Sequence, residues 1–398
     1  MTPKFTIDQR RARLAVRHRL AAPAATAEAA ADAVVALHAT DTATVYLSAR
    51  ARLAEKDTAV EDVERALYAE RGLLRLLGMR RTMFVAGLDV AALIQAGCAP
   101  EVAAKQRKLL IKQLTEQGHP ENVPDAARWL AEVEQATEAA LAARGQAPAQ
   151  ALAEDEPRLR QQLIMAKGKP YEAVTNLTSR VLTLLGADGR IVRGRPRGSW
   201  LSSQYHWATL GTWLPAGLTE WEAPAARAEL ARRWLHAYGP APAEDLRWWT
   251  GWTVGQVKQA LARLGTVEVA LDGAPSSTGL VLADDLEPVA EPGPWVALLP
   301  ALDPTPMGWA ARDWYVGEHR AALFDRSGNI GPTVWCDGRV VGAWAQRTDG
   351  EVRIGLLEDI GAGAKAAAEA EADRLAGWFG VVRVVPKFRT PLERELAG

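Results

Sequence analysis

Between positions 24 and 71 the apolar residues fall into three runs at helical spacing. Residues 24–37 are small and end in Val34, Val35 and Leu37. Residues 42–53 place Val45, Leu47 and Leu53 as core positions, and residues 59–71 place Val63 and Leu67 on one face. Thr58 followed by Glu61 has the spacing of a capping box ahead of the third run. Two short apolar runs come next, residues 73–77 and 82–86, joined by Gly78-Met79-Arg80-Arg81, which reads as a β-hairpin. Three helices followed by a hairpin outline a winged helix, with arginines at the tip of the wing.

The outline recurs twice. Helices over 100–117 and 125–144 precede an acidic, Pro-containing separator at 147–157, a helix over 158–166 and another over 173–185. A hairpin then pairs 190–194 with 199–207 across Arg195-Pro196-Arg197-Gly198. If the first strand continues, alternation puts Arg193, Arg195 and Arg197 on one side. In the third copy, helix 224–237 is followed by a short helix at 243–249. Thr253 and Gln256 then form a capping box for helix 254–264, and strands at 266–271 and 279–283 flank the turn Asp272-Gly273-Ala274-Pro275.

Beyond Pro288 prolines punctuate short strands at 295–299, 333–336, 339–345 and 351–357. A helix over 362–378 and a strand at 381–385 follow. The expected class is α+β: three tandem winged helices at 1–92, 93–215 and 216–288, then a small C-terminal β-barrel with one helix at 289–398.

Composition adds little to this. The 398 residues are 48% hydrophobic and 24% charged with a formal charge of −1, as in ordinary globular proteins. Fifteen Trp are unusual and read mostly as core. Cys98 and Cys336 exclude a disulfide framework, and no zinc-ligand spacing exists. No apolar signal core or membrane-length run occurs, so a cytoplasmic monomer without metal or cofactor is expected. Charge is unevenly spread: residues 189–219 and 71–88 hold no acid, and arginines cluster in both. Such stripes suit nucleic acid and equally suit a solvated face.

No phosphate loop or hydrolase elbow appears. His18, His119, His206, His236 and His319 read as structural. His38 differs because Thr40 and Asp41 follow it at the joint between the first two helices. Asp41 is placed to cap the helix that begins at Thr42. Alternatively, His38 and Thr40 project together from an extended joint, with Asp41 beside them, and hold a water for general-base work.

The order of short motifs resembles the winged-helix DNA glycosylases of the AlkZ and YcaQ type across nearly the whole chain. The motifs are Leu37-His38-Ala39-Thr40-Asp41, Met79-Arg80-Arg81-Thr82 and Trp200-Leu201-Ser202-Ser203-Gln204-Tyr205. Leu299-Pro300-Ala301-Leu302-Asp303-Pro304 and Gly331-Pro332-Thr333-Val334 continue the series. The resemblance implies a monofunctional glycosylase that removes N3- or N7-alkylated purines, or bulky antibiotic adducts, from double-stranded DNA. The family's Gln-x-Gln or Gln-x-Asp motif falls on His38 and Thr40, so neither Gln is present, and Asp41 is next. It further implies DNA contacts by Arg80, Arg81, Arg193, Arg195, Arg197, Ser202, Ser203 and Gln204. With no lysine beside this joint, hydrolysis is expected rather than Schiff-base chemistry. A non-catalytic DNA-binding protein and a protein-interaction scaffold remain open as alternatives.

Overall fold

The computed structural model describes residues 3–118, 125–165, 168, 172–272 and 278–398. His119 and turn residues 273–275 lie outside these. Among the described residues, three small three-stranded sheets and one four-stranded sheet carry the helices, with a two-stranded ribbon beside them.

In the first unit, Thr26 caps helix Ala27–Ala33 by accepting from the Ala29 amide at 3.2 Å. The helix expected through residue 37 stops here. Val35 is left-handed at φ 64°, and Leu37–His38 is drawn out as a strand against Val85 and Phe84. Pairing with the hairpin outweighs the helical preference of the small residues. Helix Thr42–Arg50 follows, then helix Ala59–Glu64 and a π turn over Arg65–Ala69. Thr58 makes no side-chain cap, contrary to the expected box; its ψ of 14° is helix-like, not extended. The expected hairpin is present: Leu73–Leu77 pairs antiparallel with Met83–Gly87, which lies between it and Leu37–His38.

The second unit has its own core, including Leu110, Val133, Leu141, Leu163, Val181 and Leu185. Helices Ala99–Glu116 and Ala126–Arg144 stand as expected. Two expectations fail between them and the hairpin. The stretch at 147–157 is no mere separator but holds most of strand Gln146–Pro148 and all of helix Ala149–Asp155, pinned by buried Leu152. Residues 158–165 are not a helix, and 166 lies outside the described residues: a 3-10 turn, Pro157–Arg160, leads into strand Gln162–Met165, which pairs with Ala173–Asn176. Helix Leu177–Ala187 therefore starts later than expected. Strands Ile191–Pro196 and Tyr205–Thr209 form the hairpin, with a bulge between Arg193 and Pro196.

The third unit follows its pattern closely. Helices Ala223–Tyr238, Ala243–Thr250 and Val254–Leu261 precede the pair Thr266–Leu271 and Thr278–Leu282, and the Thr253/Gln256 capping box is formed. Lys4–Phe5 adds a parallel third strand to this sheet. A large shared core joins the first, third and C-terminal units through Trp234, Trp249, Trp252, Trp309 and Trp335, each at most 5% exposed. Most of the tryptophan surplus is thus core.

The C-terminal strands Val296–Leu299, Thr333–Cys336, Arg339–Gln346 and Val352–Leu356 pair in sequence order as an antiparallel sheet. It is open, not a barrel, because the first and last strands do not pair. Helix Gly361–Phe379 packs on it through Ala368, Ala372, Leu375 and Phe379. Residues 381–385 form no strand. The Gln346 side chain instead donates to Val382 O at 3.0 Å and accepts from Val384 N at 2.8 Å, doing what a ladder partner would. A final helix, Pro391–Ala397, packs back on the sheet. Among the described residues no helix is long and apolar enough to cross a membrane.

Candidate functional site

The joint after Leu37–His38 is held from both ends. The Ala39 amide donates to Met83 O at 2.8 Å, and the Ala39 carbonyl faces Arg75 Nη1 at 3.5 Å. The chain then turns so that the Thr40 amide points back to His38 Nδ1 at 3.5 Å. Strand alternation ends at this turn, and the expected shared projection of His38 and Thr40 is not found. His38 lines a cavity of about 360 Å³, while Thr40 lines another of about 480 Å³.

Between the cavities lies hairpin turn 78–82. Arg80 and Thr82 line the first; Arg81 and Met83 line the second. Arg80 and Arg81 are both left-handed, at φ 54° and 61°, a conformation uncommon outside glycine. Arg80 stacks its guanidinium 4.1 Å over Trp248. The close approach needs Gly251, where a Cβ would lie 2.9 Å from Arg80 Cγ.

His38 is 7% exposed, set edge-on to Phe84 at 5.6 Å. Burial, followed by repulsion from Arg80, pulls its pKa down to about 3, so the imidazole is neutral at physiological pH. If Nδ1 accepts from Thr40, as the contact assigns it, Nε2 carries the proton and is a donor.

Asp41 takes the capping role. Its Oδ1 accepts from the Ala43 amide at 3.3 Å and its Oδ2 from the Lys387 amide at 2.8 Å. It faces a crevice of about 10 Å³ beside Pro300, Pro332 and Pro386, and lines neither larger cavity. Lys387 itself lines the Thr40 cavity, so a lysine distant in sequence does sit beside the joint, contrary to expectation.

The larger cavity combines apolar walls, such as Leu76, Leu110, Leu184 and Trp207, with five cations: Arg75, Arg81, Arg180, Arg193 and Lys387. Among the described residues no carboxylate lines either cavity. Arg75 is 2% exposed in a strand otherwise made of leucines, with Tyr68 and Tyr205 against its guanidinium. Burial opposes its charge, but Tyr205, Tyr68 and Tyr46 outweigh that and its pKa is raised. A charge inside Leu-Leu-Arg-Leu-Leu was the sequence signal for this residue. Arg312, Arg320 and Trp248 in the smaller cavity had no comparable signal.

The second hairpin spreads its residues. Arg193 is packed over Tyr205 and Trp207 at 5.3 and 5.1 Å, and burial lowers its pKa. Arg195 stacks on Tyr68 and pairs with Glu64, tying this hairpin to the first unit. Arg197, Ser203 and Gln204 are exposed at the turn; the Arg197 amide donates to Gln204 O, and Ser202 Oγ accepts from the Gln204 amide. Of the second-hairpin candidates Arg193 alone lines either of these two cavities. Tyr205, placed within hydrogen-bonding distance (3.1 Å) of Thr42 Oγ1, links this hairpin to the helix after the joint.

A family model described as "DNA glycosylase AlkZ-like" matches residues 31–378. No curated protein matches the chain. Among solved structures, Streptomyces sahachiroi DNA glycosylase AlkZ is similar, with a TM-score of 0.71 over 96% of this chain and 98% of that one. The two are 20% identical, so the likeness is one of fold.

Proposed function

Because the chain belongs to the AlkZ-like DNA glycosylase family, we propose that it is a monofunctional glycosylase acting on N3- or N7-alkylated purines in duplex DNA, bulky adducts included. The observation that carries this reading is the pair of basic cavities flanking one hairpin turn, with His38 in one wall and Thr40 in the other. A duplex brings the negative charge that these walls omit.

The chemistry required is modest. An N3- or N7-alkylated purine is cationic, and its C1′–N bond breaks with the electron pair leaving on the purine. Water adds at C1′ and gives its second proton to solvent. On this reading His38, as a neutral donor, and Thr40, through its hydroxyl, orient water and sugar from either side of the turn. Asp41 acts through the backbone it holds. Arg80, Arg81, Arg75 and Arg193 take phosphates or the adduct, with Arg197, Ser202, Ser203 and Gln204 touching the backbone farther along. On this reading the chain is three winged-helix units near 1–92, 93–215 and 216–288, with Lys4–Phe5 completing the third sheet, and a C-terminal unit at 289–398.

A second reading, DNA binding without base release, is favoured by the commitment of both Asp41 oxygens to amides. One assay separates the two. Duplex carrying N7-methylguanine is incubated with protein and heated in alkali to reveal abasic sites. Cleavage above a no-protein control supports hydrolysis; binding without cleavage supports the second reading. Borohydride present during the reaction should trap no adduct, Lys387 being the residue where one would form.

A further inference from the structure

We propose that the His38 cavity is a built phosphate-binding site, shared between the first hairpin, the third unit and the C-terminal unit. Its cations come from three places: Arg80 on the hairpin turn, Arg312, and Arg320 at the start of a short helix, Arg320–Leu323. The remaining polar lining is His38, Thr82, Ser327 and Asn329, with Trp248, Met307, Ala310 and Gly328 completing the wall. No carboxylate among the described residues lines the cavity, and the nearby ones are held by other donors, although Asp245 still acts on Arg312. Asp325 accepts from the Ser327 and Asn329 amides and from Asn329 Nδ2, while Asp245 accepts from the Ala310 and Ala311 amides. Asp303, which acts electrostatically on His38, is fully buried and held by Arg52 through two hydrogen bonds.

Arg312 makes this a built site and not merely a basic surface. It is 3% exposed and locked by three contacts: Nε to Trp309 O at 2.9 Å, Nη1 to Gly328 O at 3.2 Å and Nη2 to Met307 Sδ at 3.6 Å. A guanidinium has five N–H donors, so two remain for a ligand. The same side chain stacks on Trp248 at 4.8 Å, the indole that also carries Arg80 at 4.1 Å. Two like charges are therefore held against one ring, and repulsion from Arg312 is among the causes that lower the Arg80 pKa. An anion between them relieves that repulsion. Paired guanidiniums with hydroxyl and amide donors beside them match the oxygens of a phosphate group better than a carboxylate or a neutral base. With about 360 Å³ the cavity admits the phosphate together with part of an attached sugar.

Two sources share this chemistry: the backbone phosphodiester of a DNA strand, and a free phosphate ester or inorganic phosphate. Assignment to the DNA strand rests on the glycosylase reading; the anion site itself does not. Its place beside Arg81 and the Thr40 cavity would fix one phosphate while the neighbouring nucleotide reaches the joint.

The test is calorimetric titration of the full chain with inorganic phosphate at low ionic strength, with chloride as control. Wild type is expected to bind phosphate, and Arg80→Gln and Arg320→Gln to weaken binding by about tenfold or more each. Both arginines are exposed enough for the variants to fold, and Asn329→Ala gives an independent third. Saturating undamaged duplex is expected to abolish the phosphate signal. Phosphate binding that persists under duplex overturns the DNA assignment and leaves a free-phosphate site. No binding by wild type, or variants that bind as well as wild type, overturns the site altogether. Base release measured on the same preparations separates the two ideas. Phosphate binding without base release fails only the glycosylase reading, and base release from a phosphate-blind protein fails only this one.

Discussion

The Lys387 amide donates a 2.8 Å hydrogen bond to Asp41 Oδ2 across 346 positions of chain. The C-terminal segment is thereby clasped to the first turn of helix Thr42–Arg50, the helix that follows the joint. Asp41→Ala removes the acceptor for both amides and should lower stability by about 1–2 kcal/mol. Asp41→Asn keeps one carbonyl acceptor and should recover about half of that. If Asp41 acts by positioning, Asp41→Asn should also keep base release within a few-fold of wild type. Urea unfolding and base-release rates on the two variants check this, and an inactive but stable Asp41→Asn would restore a role for the charge itself.

Arg75 bears on both stability and DNA binding. Its buried guanidinium is held by Ala39 O and by the surrounding tyrosines, so Arg75→Met should destabilise by about 1–3 kcal/mol. The same change removes a cation from the Thr40 cavity and should reduce the slope of duplex affinity against salt by about one. Thermal unfolding and salt-dependent binding read the two effects separately. A destabilised variant with an unchanged slope would make Arg75 purely structural.

Two buried histidines give the fold a pH dependence. Burial first, then Arg52 at His18 and Arg80 at His38, lower their pKa values from 6.5 to about 3. The unfolded chain takes up protons that the folded chain refuses, so their contribution is complete above about pH 6.5. It is lost as pH falls from there toward 3. By pH 5 each histidine costs about 2 kcal/mol. Urea midpoints at pH 7.5 and 5 measure the sum, and His38→Gln should remove about half of the difference. An unchanged difference in that variant would contradict His38 as a contributor.

Gln346→Ala tests why residues 381–385 hold their course without being a strand. Both amide atoms of this 8%-exposed side chain bond the segment, and their loss should cost about 1–3 kcal/mol. Amide exchange at Val384 should accelerate more than exchange within helix Gly361–Phe379. Equal protection in both forms would show that packing alone sets the segment.

Where a pattern is local, the sequence is a sound guide. The Thr253/Gln256 box, the Leu73–Leu77 hairpin and helix Ala126–Arg144 all stand where local rules put them. The failures have tertiary causes. Leu37–His38 leaves its helix because the hairpin offers a strand partner, and Gln162–Met165 pairs with a ribbon strand that looked helical. The barrel failed because four strands in sequential order need not close. At the site, His38 and Thr40 were visible as an odd polar joint, but their separation into two cavities depends on a turn against Arg75 and Met83. Lys387 and Arg312 were invisible there, since nothing near them in sequence shows what they approach in space.

On the glycosylase reading, base release is governed by this joint. The most direct measurement is single-turnover release of N7-methylguanine from duplex DNA by wild type, His38→Gln and His38→Ala. Release by wild type, retention in His38→Gln, whose amide keeps a donor, and loss of at least about tenfold in His38→Ala are expected. No release by wild type, or equal release by all three proteins, would contradict this reading.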